Sequence, residues 1–100
     1  PHEMIGLTMK ELSRSLSALQ NVGIGGDRRK NYLSKAFTAI YILQTSLDFE
    51  KGQDIANNLF KLYEYVRIQL QKTMKNDVSA ALQVCSEILQ EIIDAWDNIK

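Results

Sequence analysis

The sequence predicts an all-α protein, an antiparallel up-and-down four-helix bundle, from three observations. Apolar residues recur at spacings of three and four along nearly the whole chain, and no stretch alternates apolar and polar residues at period two. Clusters of Gly, Asn and Asp interrupt the helical pattern at three separate places. A chain of 100 residues, 45% hydrophobic and 24% charged, suits one domain over residues 1–100 with a modest core.

Ile5, Met9, Leu12, Leu16 and Leu19 step by four, three, four and three, which lays them along one face of a first helix over about 2–20. Pro1 suits a first helical position, where its fixed φ is already helical and its missing N–H costs nothing. The segment NVGIGGD at 21–27 places three glycines within four residues and reads as a connecting loop, with Asp27 as the N-cap of the next helix. That second helix, about 27–48, carries Leu33, Ala36, Phe37, Ile40, Leu43 and Leu47 on one face. Gly52, a residue that takes positive φ without steric cost, marks the next break. The third helix, about 53–75, has Ile55, Leu59, Leu62, Tyr63, Val66 and Leu70 as its stripe. Lys75-Asn76-Asp77 is a turn signal, and Asp77 is placed to cap a fourth helix over about 78–99. There the apolar arc is broad, running from Val78 and Ala81 through Cys85, Ile88, Leu89 and Ile92 to Ala95, Trp96 and Ile99. Short connections make consecutive helices antiparallel neighbours, so the four stripes meet in one bundle.

Charge and composition exclude several classes of function. Twelve basic residues against twelve acidic ones leave no field to attract nucleic acid or anionic lipid. No apolar run approaches the roughly 20 residues needed to cross a bilayer, and no signal peptide is visible, so neither membrane insertion nor export of this chain is expected. Cys85 is the only cysteine, which rules out an intrachain disulfide or a Cys-rich metal site and suits a reducing, cytoplasmic setting. It falls on the core stripe as a small apolar residue. His2 is the only histidine, so no Ser-His-Asp or Cys-His arrangement has a well-placed base. Glu87 with Glu91 and Asp94 with Asp97 lie one turn apart but lack the Glu-x-x-His partner of bundle metal sites, and they read as a solvated face. The glycines of GIGGD are followed by no Lys-Ser/Thr and preceded by no strand, unlike a phosphate loop. Arg28, Arg29, Lys30 and Lys35 form a basic start to the second helix, read as a solvated helix end. No catalytic residue, cofactor or metal is expected, and the protein is not expected to be an enzyme.

What the core leaves over is more informative. At about 100° per residue, with Leu59 at zero, the third helix's stripe lies within roughly 60° on either side. Phe60 falls near the edge of that arc, and Tyr65 and Ile68 lie toward the opposite side, adjoining each other three residues apart. On the second helix Ile42 points away from the stripe and Tyr41 sits at its margin; on the first, Leu7 is off the face. Scattered exposed apolar residues need no explanation, but several large ones on adjacent helices point to a partner, since monomers rarely expose large apolar patches. Leu7, Tyr41, Ile42, Phe60, Tyr65 and Ile68 are therefore the candidate partner-binding residues, on grooves suited to an amphipathic helix.

The run SLDFEKGQDIANNLFKLYEYV at 46–66 resembles the flagellar export chaperones of the FliS family, whose corresponding segment reads L-D-x-E-K-G-G-E-I-A-x-N-L-x-x-L-Y-x-Y. Leu47, Asp48, Glu50, Lys51, Gly52, Ile55, Ala56, Asn58, Leu59, Leu62, Tyr63 and Tyr65 fit that pattern. YLSKA at 32–36, KND at 75–77, DAW at 94–96 and the opening PHEMI extend the resemblance over almost the whole chain. The chain departs from the family in the first helix, which reads LTMKELS rather than a run like L-Y-D-G-A-I, and near Ile68 and Gln69, where the family has paired arginines. The resemblance implies a cytoplasmic helical bundle that binds the C-terminal segment of newly made flagellin, prevents its early polymerisation and delivers it to the flagellar type III export apparatus. It also implies that a segment ahead of the first helix can cover part of the binding surface in relatives, and the sequence is expected to start just past that segment. The alternative is a non-catalytic interaction module whose outer face forms a homodimer.

Overall fold

The computed structural model describes residues 2–21 and 25–98. Four helices follow one another: α1 (His2–Leu19), α2 (Gly26–Thr45), α3 (Phe49–Met74) and α4 (Leu82–Asp97), with no strand among the described residues. Each packs against its neighbours in sequence, and α4 closes the ring against α1, giving an elongated body of 41 × 22 × 20 Å. Pro1, Val22, Gly23, Ile24 and Ile99 lie outside the described residues, and with them the Pro1 and Ile99 expectations and part of the glycine loop.

The core follows the predicted stripes of α1 and α2. Met9, Leu12, Leu16 and Leu19 are buried, as are Leu33, Ala36, Ile40 and Leu43, with Ile5, Phe37 and Leu47 packed at the margin. In α3 the buried line is Ala56, Tyr63, Val66 and Leu70, with Leu59 and Leu62 half-buried. Burial pushes the Tyr63 phenol up to about 12. In α4 it is Cys85 and Leu89 of the predicted arc together with Leu82 and Ile93, which the spacing places at its widened outer margin, while Ile88 and Ile92 are only half-buried.

Polar contacts fix the pairing. At one end of α1, Trp96 Nε1 donates to the His2 carbonyl at 2.9 Å and the two rings stack 4.6 Å apart. At the other, Gln20 Nε2 donates to Ser86 Oγ at 2.9 Å. The start of α1 thus meets the end of α4 and the reverse, so the two run antiparallel. A side chain at Gly6 would place its Cβ 3.3 Å from Trp96 Cδ1, and its absence lets the indole lie against α1.

The helix ends depart from the sequence reading, each for a local reason. α2 stops at Thr45 rather than 48, because the hydroxyls of Thr45 and Ser46 take the carbonyls of Tyr41, Ile42 and Leu43. The N-cap of α2 is Gly25, which makes no side-chain cap, so Asp27 lies inside the first turn instead of capping it. α3 starts earlier than predicted: Asp48 accepts from the amides of Glu50 and Lys51 at 3.1 and 3.0 Å, which builds a turn before Gly52. The backbone then departs from helix at Gln53, and Gly52 itself is not in the positive-φ region. Ile55, two residues past that point, was expected in the core but is 71% exposed at the mouth of a cavity.

α3 ends in a Schellman motif, with Asn76 at φ 59° and the amides of Asn76 and Asp77 bonded to the carbonyls of Thr73 and Lys72. Asp77 does not cap α4. Its carboxylate accepts from the amide and hydroxyl of Ser79, closing a separate turn, and α4 begins only at Leu82. Val78 is consequently fully exposed and Ala95 is exposed too, against the expectation that both join the core. The amide of Ala81, at the start of α4, is instead held by the buried Gln69 Oε1 of α3 at 2.9 Å.

One buried polar atom has no hydrogen-bond partner among the described residues, Ser15 Oγ on the core side of α1. An unpaired buried hydroxyl costs about 1–3 kcal/mol and Ala is the better helix former. Ser15→Ala is therefore expected to raise the urea midpoint; a lower midpoint would show that the hydroxyl is satisfied in solution.

Candidate functional site

The outward apolar residues fall on different sides of the bundle. Leu7 of α1 and Ile42 of α2 line a common groove between those helices, of about 470 Å³, together with Met4. Leu7 is 66% exposed, Ile42 40% and Met4 68%, so the groove offers apolar surface that the core does not use. Met4 was missed by the sequence reading, although it precedes Leu7 by three residues and shares its face. A second groove, of about 510 Å³ between α3 and α4, is lined by Tyr65 with Asn58, Lys61, Leu62 and Ile88. Tyr41 and Ile68 are exposed and line neither groove. Phe60 is half-buried and meets the exposed Phe49 edge to face at 6.0 Å, across the kink of α3. Phe49, Ile55, Met74 and Val78 are further exposed apolar side chains that the helical wheel did not single out as outward, and Val84, at the widened margin of the α4 arc, is exposed as well. Helical spacing places Ile55 and Val78 in the core, and their exposure follows from the kink in α3 and the late start of α4.

The α2–α3 side is closed by polar groups instead. Gln44 Nε2 of α2 donates to Glu64 Oε1 of α3 at 3.0 Å, and Arg67 grips the same carboxylate through two nitrogens at 2.8 and 2.5 Å. The Arg67 and Gln44 hydrogen bonds hold the Glu64 carboxyl well down, at about 2. Because the pair is about a third exposed, its value lies in orienting side chains across the two helices more than in net stability.

The remaining polar candidates have structural partners. Arg29, part of the basic start of α2, donates through Nη2 to the Thr73 carbonyl at the end of α3. Cys85 is fully buried, and burial pushes its thiol up to about 11, which keeps it in the unreactive protonated form near neutral pH. Asp97 pairs with Lys10 at 3.4 Å, and Asp94 accepts from Gln90 at 3.0 Å. Among the described residues no group of three or more His, Cys, Asp or Glu side chains is placed to hold a metal ion, and no helix is long and apolar enough to cross a membrane. The arrangement offers apolar docking surface between α1 and α2 and between α3 and α4.

The family model described as flagellar protein FliS matches the chain over residues 1–100. The chain belongs to the FliS family. It is 36% identical to the flagellar secretion chaperone FliS of Vibrio cholerae, over 99% of this chain and 74% of that protein. The FliS flagellar secretion chaperone of Salmonella typhimurium is 35% identical, over 99% of this chain and 76% of its own length. The FliSB chaperone of Pseudomonas aeruginosa is 30% identical, over 99% and 80%. No solved structure matches the chain significantly. The FliS resemblance concentrated at 46–66 thus extends through all four helices, and the family is one of chaperones.

Proposed function

We propose that this chain is a cytoplasmic export chaperone that binds the C-terminal segment of newly made flagellin on its apolar grooves, keeps it from polymerising, and hands it to the flagellar type III export apparatus. The observation that carries this reading is the meeting of Leu7 and Ile42, with Met4, in one groove on a bundle whose core is complete without them. Membership of the FliS family, with relatives named flagellar secretion chaperones, supports the choice of client.

The mechanism is binding alone. An unfolded amphipathic tail orders as it docks, and burial of its apolar residues must outweigh that ordering cost. Covering each large apolar anchor contributes about 1.5–3 kcal/mol. The same apolar surface of the tail is then unavailable for packing against other flagellin subunits, while release needs no covalent step.

A flagellin C-terminal peptide is expected to bind one-to-one by calorimetry. Leu7→Glu with Ile42→Glu should weaken it at least tenfold, about 1.4 kcal/mol, without lowering the melting temperature. Absence of binding by the unaltered protein at tens of micromolar peptide would overturn the reading. The homodimer alternative predicts instead that the double variant halves the mass measured by sedimentation.

A further inference from the structure

The α1–α2 groove is not uniform along its length. Met4, Leu7 and Ile42 form one end, and Glu11, Arg14 and Lys35 form the other. Leu7 and Arg14 are separated by two turns of α1, roughly 10 Å along the axis. At the polar end Arg14 Nη2 donates to Glu11 Oε2 at 2.5 Å. Arg14, and more weakly Lys35, hold the Glu11 carboxyl below its usual range. Two cations share one carboxylate there, leaving a net charge of 2 − 1 = +1. The Lys35 ammonium stands 5.7 Å from the centre of the Tyr32 ring, and no ion pair among the described residues includes it.

We propose that this groove sorts its occupant by charge as well as by apolar surface: the flagellin segment seated in it lays apolar residues on Met4, Leu7 and Ile42 and a carboxylate, one to two helical turns away, on Lys35. The inference rests on the client reading given above and adds a direction to it. A groove apolar throughout would accept an amphipathic helix in either orientation. With a cation at one end only, the reversed helix leaves its carboxylate over apolar side chains and Lys35 without a partner, and that difference selects one orientation. Lys35 is exposed, so the contact acts at the rim: its contribution is modest and it weakens with salt.

The test is calorimetric titration of the full chain with a flagellin C-terminal peptide at low and high salt, using Lys35→Gln, Lys35→Glu, and peptides in which each acidic residue in turn is changed to Lys. Lys35→Glu is expected to weaken binding about two- to fivefold at low salt, the worth of one exposed ion pair, with Lys35→Gln between it and the unaltered protein. One peptide acid, and not the others, should lose its effect when Lys35 is absent, and its Lys form should restore binding to Lys35→Glu. Equal affinity of all three proteins at low salt, with binding itself intact, would overturn the directional groove and leave the client reading standing. No binding by the unaltered protein overturns both. A change in the sedimentation mass of the free protein on Lys35→Glu would assign the groove to a second copy of the chain and also overturn the proposal.

Discussion

Leu12→Ala is expected to destabilise the bundle by about 2–5 kcal/mol, the range for deleting a large buried side chain from a core that only partly collapses around the cavity. Leu12 is completely buried in the middle of α1, the helix that touches both α2 and α4, so the cavity would open where three helices meet. Two controls give the measurement its meaning. Ile55→Ala is expected to change stability by less than about 0.5 kcal/mol, as surface substitutions do, because Ile55 is 71% exposed. Tyr65→Glu with Ile68→Glu should also cost little, since those side chains are 37% and 39% exposed and outside the core. Urea unfolding of the three variants, compared at constant m-value, decides the matter. If Ile55→Ala lost as much as Leu12→Ala, the start of α3 would be packed as the unbroken apolar stripe suggests and not as the structure has it.

The same contrast explains how far the sequence could be read. Along α1 and α2 one helical phase holds from end to end, so Met9, Leu12, Leu16, Leu33, Ala36, Ile40 and Leu43 could be assigned to the core from spacing alone. The start of α4 could not, because the amide of Ala81 is taken by Gln69, twelve residues away on another helix. A local reading gives that capping role to Asp77, which has the right chemistry but spends it on Ser79. The outward character of Leu7, Ile42 and Tyr65 was visible on a helical wheel. That Leu7 and Ile42 share a groove was not, since it depends on the packing of α1 on α2, and neither was the place of Lys35 at its far end.

Gln53 and Gly52 should respond in opposite directions to changes that look equally mild. Gln53 has φ 44° and ψ −115°, close to the first central position of a type II′ turn, where glycine is the usual residue because a Cβ is crowded there. Holding a non-glycine side chain in such a conformation costs about 1–3 kcal/mol. The related family motif has a second glycine at this point of the L-D-x-E-K-G-G run, where this chain has Gln53. Gln53→Gly is thus expected to stabilise the protein by about 1 kcal/mol, the relieved strain being partly offset by the greater freedom of glycine in the unfolded chain. Gly52, by contrast, needs no unusual torsion. What it needs is space: a Cβ built there would lie 2.9 Å from the Ala56 Cβ, and Ala56 is buried. Since neither carbon sits at the end of a flexible side chain, the backbone must move, and Gly52→Ala is expected to destabilise by about 1–3 kcal/mol, as overpacking does. Thermal unfolding of the two variants against the parent tests both signs. A lower melting temperature for Gln53→Gly would show that the α3 kink is not held at Gln53 in solution, and an unchanged one for Gly52→Ala would show that the first turn of α3 stands clear of Ala56.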